Sequence, residues 1–370
     1  MSTRDPIELL RGRRFPPYPP GFRHPFGSAR SSNSSGLVIS PYNYANLLFR
    51  FYPLRFEFVA TEPLFFPPGK AANILRGALG VIFRKIACVP HCTGARTCQI
   101  RETCPYACLF EPVAITSQPS GLADWPRPFV FRARNLDGHT IPPGGAFWFD
   151  LNVFSLDPNV LSYFVLTFAS LAREGLGPRR RKAELQRVAS RDQVLYNGCS
   201  RSISASVEPV TLDLTPLVVS PTRIRVDFLT PTELKHEHKI ATRPEFPILF
   251  GRVRDRIATL SRLYGGEVLD IDYQGTNARA AAVRMIRCNL RRLETDRRSS
   301  RTGQAHSIGG FAGSAEYEGD LAEFLPYLQA AKWTGVGRQS VWGKGELMVH
   351  RINAAGASPR GDDAAHRDSL

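Results

Sequence analysis

The two halves of the chain have the same predicted order of strands and helices, and this repeat constrains the fold more than any other feature of the sequence. In the first half, a strand-like alternation of apolar residues is followed by a helical pattern, two more strand patterns, a helix and a strand. These six elements are predicted at residues 54–63, 74–86, 128–134, 145–154, 157–174 and 182–190. Their order is βαββαβ.

The second half repeats that order, with elements predicted at residues 222–229, 246–264, 283–293, 308–317, 324–331 and 346–352. Two βαββαβ units predict an α+β protein of tandem ferredoxin-like (RRM-like) domains, whose open sheet face is a common RNA platform. The predicted domains span 51–215 and 216–352. A disordered basic arm rich in Pro and Ser is predicted at 1–50 and a disordered tail at 353–370.

The charge of the chain favours a polyanionic partner. Its 48 Lys and Arg residues exceed its 33 Asp and Glu residues, which gives a net charge of +15 and a pI near 9.9. Nucleic acid is the first expectation and an acidic membrane surface the second. The N-terminal stretch has no apolar signal-peptide core, and polar residues interrupt the most apolar run, Leu161 to Ala172. We therefore expect a soluble cytoplasmic protein without a membrane partner.

A glycine-rich segment, GVGRQSVWGKGEL, lies between the last predicted helix and the last strand (335–347). Glycine permits a positive φ and has no Cβ, so a loop over 335–345 with cationic side chains can place its amides against an anion. The alternative is a tight turn in which backbone geometry alone requires glycine. The spacing fits neither a Walker nucleotide loop nor a dinucleotide-binding fingerprint, which argues against a small nucleotide cofactor.

Several segments resemble the CRISPR-associated RAMP-superfamily endoribonucleases that process precursor CRISPR RNA into guide RNAs. The most specific is GGFAGSAEYEGDLAEFLPYLQAAKWTGVGRQSVWGKGEL (309–347). Shorter similarities are DFLTPTELK (227–235), SSRTGQ (299–304), ILRGALG (74–80) and CPYACLFEP (104–112). The resemblance spans most of residues 50–352 and implies the same tandem ferredoxin-like fold.

The resemblance also implies metal-independent cleavage, in which a ribose 2′-hydroxyl attacks the neighbouring phosphorus and leaves a 2′,3′-cyclic phosphate. That reaction needs in-line positioning, a base, a proton donor and cations. Many relatives carry a histidine in the turn after the first strand or on the first helix, whereas this sequence has none between Leu64 and Lys85. Lys70 is the best cation at that turn, and His306 is the leading histidine. Both also fit a solvated surface position.

Candidate RNA-binding residues come from the glycine-rich segment and from arginine-rich stretches. Residues 252–301 contain twelve arginines against six acidic residues. Alternation in 283–293 directs some arginines to one sheet face, where they either follow an RNA backbone or form a solvated surface. The predicted RNA-binding residues are Arg76, Arg301, Lys332, Gly335, Gly337, Arg338, Gly343, Lys344 and Gly345.

Five of the seven cysteines lie between Cys88 and Cys108, in an insertion with few apolar residues. Four thiolates within reach of one another would satisfy a tetrahedral structural zinc. The predicted ligands are Cys88, Cys92, Cys98 and Cys104, with His91 as a substitute for one thiolate and Cys108 as a surplus thiol. Free thiols are the alternative. A catalytic metal is not expected.

Two functions are consistent with these observations. The first is an endoribonuclease that cuts CRISPR repeat RNA. The second is a non-catalytic RNA-binding RAMP subunit of a CRISPR effector complex, and the absent first-domain histidine keeps it open. The expected partners are CRISPR repeat RNA and other subunits of such a complex.

Overall fold

The computed structural model describes residues 47–352, apart from 90, 113–124, 178, 205, 295, 299–304 and 308, and gives only the backbone for 296–298 and 305–307. Most of the predicted arm and the whole predicted tail lie outside the described residues. The arm ends earlier than predicted, because residues 48–51 pair with Val210–Asp213 and bury Phe49 and Phe51 completely. The first strand therefore begins at Leu48.

The first half forms an antiparallel sheet with helices on one face. In chain order it contains β1 (Leu48–Ala60), β2 (Leu64–Phe65), α1 (Ala71–Ala87), α2 (Pro105–Phe110), β3 (Phe129–Arg132), β4 (Thr140–Ile141), β5 (Ala146–Val153), α3 (Asn159–Glu174), β6 (Ala183–Ser190), β7 (Gln193–Asn197), β8 (Ser202–Ile203) and β9 (Val210–Asp213). The sheet order is β3-β5-β1-β6-β7-β8, and β9 pairs with the start of β1. The pair β2 and β4 forms a separate ladder beside this sheet.

The second half forms a smaller antiparallel sheet. It contains β10 (Arg223–Thr232), β11 (Lys235–His236), β12 (Lys239–Ile240), α4 (Phe246–Leu260), α5 (Tyr273–Ala281), β13 (Arg284–Leu293), β14 (Asp296–Arg298), β15 (Ala305–Ser307), β16 (Gly310–Glu318), α6 (Leu325–Thr334) and β17 (Leu347–Arg351). The sheet order is β13-β16-β10-β17, with hairpins β11–β12 and β14–β15 outside it. The four sheet strands occur in the same relative order as β3, β5, β1 and β6 of the first half.

The fold is thus mixed α/β with antiparallel sheets, and the predicted elements of both halves are confirmed within a few residues. The unpredicted elements include helices α2 and α5, three strands at the end of the first half, and the short strands β2, β4, β11, β12, β14 and β15. Helix α5 has a weak apolar pattern because only Thr276 and Ala280 are buried. Its start is instead fixed by Asp272, whose Oδ1 accepts a hydrogen bond from the Gly275 amide at 2.8 Å.

Two hydrophobic cores hold the molecule together. The first lies between the first sheet and helices α1 and α3 and is rich in phenylalanine. The second lies under α4 and α6, and it also contains Phe49, Phe51 and Phe154 from the first sheet. Because the second core uses side chains from both halves, the halves are packed against each other rather than joined by a free linker. No helix in the described part of the chain is long and apolar enough to cross a membrane.

Candidate functional site

The glycine-rich loop connects α6 to β17, as predicted, and its glycines adopt conformations that favour glycine. Their φ angles are 68° at Gly335, 76° at Gly337, 77° at Gly343 and 67° at Gly345. Added Cβ atoms at positions 337 and 345 would collide with the carbonyl oxygens of Glu233 and Val336. The missing side chains are therefore required by close backbone approach within the protein. An RNA contact by these glycines stays a prediction.

The same loop docks on the first half of the chain. A Cβ on Gly343 would lie 2.6 Å from the Ala72 Cβ at the start of α1 and 3.5 Å from the Phe131 carbonyl oxygen. Val341 packs against the first hydrophobic core. The loop is thus a contact between the two halves, and it carries Lys344 to the N-terminal end of α1.

Three charged residues meet at this contact, and we call Lys70, Asp137 and Lys344 the junction cluster. Lys70 is the residue before α1, and the Ala71 amide donates a hydrogen bond to Asp137 Oδ1 at 2.9 Å. Lys344 is 5% exposed and is attracted by Asp137 and repelled by Lys70. With the described residues, its ammonium forms no hydrogen bond or close ion pair. A nearly buried cation without a direct partner indicates a place for an anion.

The electrostatics of the cluster agree with that interpretation. Desolvation lowers the pKa of Lys344, with Asp137 opposing and Lys70 reinforcing this shift. Burial raises the pKa of Asp137, although the amides of Ala71 and Lys70 and the charge of Lys344 oppose it. Both shifts mean that burial disfavours the charged forms. A phosphate bound here would supply a negatively charged partner for the Lys344 ammonium.

Two partly buried arginines fix the start of the loop. Arg132 of β3 donates to the carbonyl of Lys332 at 2.9 and 3.2 Å and to that of Trp333 at 3.3 Å. Arg256 of α4 donates to the carbonyl of Thr334 at 2.8 Å. These carbonyls form the C-terminal end of α6, which has no intrahelical donors for them. Both halves of the chain thereby hold the helix from which the loop leaves.

The other predicted RNA-binding residues lie at different distances from this contact. Lys332 is exposed, with its ammonium 5.2 Å from the centre of the Trp333 ring. Arg338 is an exposed loop residue that pairs with Glu233. Arg76 lies on α1, nearly two helical turns after Lys70, and Arg301 is outside the described residues. The structure therefore brings Lys70 and the glycine-rich loop together at the start of the helix that carries Arg76.

His306, the predicted catalytic histidine, lies in β15, and its backbone is paired with Arg297 of β14. Its side chain is outside what the structure describes. The sequence did not single out Asp137, which forms the centre of the junction cluster. The sequence feature that could have indicated this position is the Asp137-Gly138 pair, which is a common turn sequence. In the structure Gly138 adopts a φ of 79° in this turn.

The open face of the second sheet is less basic than its arginine content predicted. Arg223, Arg284 and Arg287 pair with Glu316 or Glu318, which lie on the neighbouring strand. An open groove of about 450 Å³ remains at one end of this face. It is lined by residues that include Arg225, Asp227, Asn289, Arg291 and Ser314. Arg291 is exposed and forms no hydrogen bond or ion pair with the described residues, whereas Arg225, which is also exposed, pairs with Asp227.

In the cysteine insertion, the predicted zinc ligands Cys92 and Cys104 each lie near Cys88. Burial, followed by the nearby Cys104 and Cys92, raises the pKa of the Cys88 thiol, whereas the Gly94 amide lowers that of Cys92. Cys98 is not among these contacts. Within the described ranges, no group of three or more His, Cys, Asp or Glu side chains is arranged to hold a metal ion. The arrangement of the thiols thus fits a four-cysteine site only in part.

Two family models match separate parts of the chain. One, described as an N-terminal domain, matches residues 49–208. The other, described as CRISPR-associated endoribonuclease Cas6, matches residues 226–347. The second match confirms the resemblance to CRISPR-associated endoribonucleases. No curated protein matches the chain.

Similar solved structures include Cas6, a Cas6 product complex and a larger complex that contains Cas6. A Cas6 product complex has 17% sequence identity and a TM-score of 0.47, covering 81% of this chain and 100% of that one. Thermus thermophilus Cas6 has 16% identity and a TM-score of 0.45, with 81% and 98% covered. A partial Cas6-RT-Cas1–Cas2 complex has 12% identity and a TM-score of 0.49, with 85% and 48% covered.

Proposed function

We propose that this chain, a CRISPR-associated endoribonuclease by its match to the Cas6 family over residues 226–347, cuts CRISPR repeat RNA without a catalytic metal. A ribose 2′-hydroxyl attacks the adjacent phosphorus, and the products carry a 2′,3′-cyclic phosphate and a 5′-hydroxyl. The observation that carries this proposal is the junction cluster, in which two lysines and the first turn of α1 surround one small region. Cations at that place stabilise the charge that develops on the phosphorane.

The two lysines have different parts in this reaction. Lys70 lies in the turn before α1 and has its side chain partly exposed, so it contacts the scissile phosphate and donates a proton to the leaving 5′-oxygen. Lys344 is nearly buried and adds positive charge from the protein side of the bound phosphate. Folding has already removed most of the water around Lys344. A phosphate that binds there is therefore attracted by the ammonium without further desolvation of this lysine. The N-terminal end of α1 adds a further partial positive charge.

RNA binding is proposed to extend from the junction cluster along the loop. Arg76, Arg301, Lys332 and Arg338 supply cations, and the backbone of Gly335, Gly337, Gly343 and Gly345 shapes the surface on which the strand lies. The support for this path is the exposure of Lys332 and Arg338 on either side of the loop's first turn. The proposed partners are CRISPR repeat RNA and other subunits of a CRISPR effector complex, in the cytoplasm.

The proposed fold assignment is two ferredoxin-like domains in tandem with a cysteine-rich insertion. The support is the strand order, because each sheet places the first and third strands of a βαββαβ unit in the centre and the second and fourth at their outer sides. The first sheet adds β7, β8 and β9 to this unit.

Incubation of the full chain with repeat RNA in EDTA tests the function. Cleavage that leaves a 2′,3′-cyclic phosphate supports the proposal. Tight binding of RNA that stays intact would instead indicate a non-catalytic RNA-binding subunit. Loss of cleavage on chelation, with unchanged circular dichroism, would indicate a catalytic metal. Lys70→Ala is expected to lower kcat with a smaller effect on the Kd for RNA, and His306→Ala tests the predicted catalytic histidine in the same assay.

A structural zinc held by Cys88, Cys92, Cys98 and Cys104 is a separate proposal, supported by the proximity of Cys92 and Cys104 to Cys88. Zinc would fix the insertion by cross-linking its ends. Metal analysis of protein purified without chelators should find about one zinc per chain. Cys98→Ser should reduce the zinc content, and Cys199→Ser, an exposed cysteine outside the insertion, is the matched control.

A further inference from the structure

A further histidine, His139, lies beside the junction cluster in the chain. His139 follows the Asp137-Gly138 turn. The Gly138 amide donates to the Phe66 carbonyl at 2.8 Å, and the Phe66 amide donates to the His139 carbonyl at 3.1 Å. These bonds continue the β2–β4 ladder, in which Phe65 pairs with Thr140. The backbone of His139 is therefore held against the turn that leads to Lys70.

The same short turn also carries the carboxylate at the centre of the cluster. Asp137, two residues before His139, accepts from the first amide of α1 and lies near both lysines. The other charged groups around it are Arg134, on the preceding turn, and Glu346, which lies 3.9 Å from the Arg134 guanidinium. His139 follows this carboxylate by two residues, and its side chain is exposed to solvent.

One ring nitrogen of His139 has a defined role. Its Nδ1 lies 3.1 Å from the backbone carbonyl oxygen of Asp137. A carbonyl oxygen only accepts hydrogen bonds, so Nδ1 is the donor in this contact. In the neutral ring, Nε2 then carries the lone pair. A histidine whose Nδ1–H is fixed by a carbonyl presents Nε2 as a base.

The other histidines with described side chains lie elsewhere. His236 and His238 belong to the β11–β12 hairpin, and His91 lies in the cysteine insertion. His350 of β17 has its Nε2 3.1 Å from Asp227 Oδ2 on the open face of the second sheet. Four residues, 346–349, separate it from Gly345, and most of them are in extended strand β17. His139 is therefore the described histidine that is joined by hydrogen bonds to the turn containing Lys70.

We propose that His139 is the general base of the RNA cleavage, an inference that rests on the proposed function. Nε2 takes the proton of the ribose 2′-hydroxyl as its oxygen forms a bond to phosphorus. The bond from phosphorus to the 5′-oxygen breaks, and that oxygen receives a proton from the Lys70 ammonium. The imidazolium then returns its proton to water, and Lys70 regains one, so the protein ends in its starting state.

The test compares the wild-type 370-residue chain with His139→Ala at saturating repeat RNA. General-base catalysis typically contributes about 10²–10⁴-fold, so kcat should fall by that factor while the Kd for RNA stays within about 2-fold. Added imidazole should restore part of the activity of His139→Ala.

Two further variants separate the possible failures. His350→Ala removes a histidine from the far end of β17 and should leave kcat unchanged. If wild type cuts and His139→Ala keeps its kcat, or if His306→Ala alone abolishes cutting, the assignment to His139 is wrong and the proposed function stands. If wild type itself does not cut, the proposed function fails. If the Tm of His139→Ala equals that of the wild type, any loss of kcat is not caused by a loss of folding.

Discussion

Gly343 lies so close to Ala72 that a methyl group on the glycine would be 2.6 Å from the alanine Cβ. The contact joins the glycine-rich loop of the second half to the first turn of α1 in the first half. Because Gly343 also has a φ of 77°, two independent constraints require glycine at this position.

Gly343→Ala should therefore destabilise the protein by about 2–4 kcal/mol, the sum of a left-handed backbone conformation and an overpacked contact. Gly266→Ala is the matched control, because Gly266 has a φ of 73° but no heavy atom within 4 Å of an added Cβ. It should lose only the backbone part, about 1–2 kcal/mol. Urea denaturation measures both. Equal losses would mean that the Ala72 contact does not constrain the loop, and Ala72→Gly in the Gly343→Ala background should recover the difference.

Lys344→Met should not destabilise the RNA-free protein at pH 7, because it removes a nearly buried charge that has no direct partner among the described residues. We expect the Tm to be unchanged or raised by up to about 5 °C, together with weaker RNA binding. Thermal unfolding and RNA titration check the two effects. A large fall in Tm would show that the ammonium has a structural partner.

The pH dependence of the same variant follows from the lowered pKa of Lys344. In the unfolded chain the lysine has its ordinary pKa of 10.5, whereas in the folded chain desolvation lowers it. As the pH rises towards 10.5, the folded state releases the proton first, so the stability of the wild type rises relative to that of Lys344→Met. The stability difference between the two should shrink from pH 7 to pH 10 in denaturation experiments at fixed ionic strength. A constant difference would exclude the pKa shift.

Arg291→Ala should weaken RNA binding more than Arg287→Ala. Both arginines lie on β13, but Arg287 is 3.4 Å from Glu316, whereas Arg291 lines the open groove. A phosphate contact by Arg291 predicts that its removal lowers the slope of log K against log salt by about one. Binding measured between about 50 and 200 mM salt gives these slopes. Equal effects would mean that Glu316 does not neutralise its partner or that RNA avoids this face.

Arg132→Met should cost about 2–4 kcal/mol, because the carbonyls of Lys332 and Trp333 lose a charged donor in the contact between the halves. Arg187→Met is the control, since its ion pair with Glu57 is 3.7 Å long and partly exposed. It should change stability by about 0–1 kcal/mol. Chemical denaturation distinguishes them, and a similar small loss for both would contradict a structural role for Arg132.

The secondary structure was largely predictable because each strand and helix buries one face, so its pattern is written locally in the sequence. The strands β10 and β13 and the helices α1 and α4 were found within a few residues of their bounds. The short strands β7 to β9 were missed, since burial alternates weakly there. In β7, for example, only Leu195 is buried.

The site was less predictable because it depends on contacts between distant residues. The glycines of the loop suggested a close approach, but the sequence could not show that Ala72, about 270 positions earlier, is what approaches Gly343. Likewise, alternation placed arginines on one face of β13, while their neutralisation by Glu316 and Glu318 depends on strand pairing. His139 was overlooked because it reaches the Lys70 turn through the β2–β4 ladder rather than along the chain.

The docking of the loop on α1 changes what a glycine substitution would reveal in an RNA-binding assay. A bulkier residue at position 343 or 345 disturbs the fit between the two halves before any nucleic acid is present. Lys344, which lies between these glycines, would move away from Asp137 at the same time. Reduced RNA affinity in such variants would then report on the packing of the two halves around a charged pocket. It would not report on direct contacts between the loop backbone and RNA.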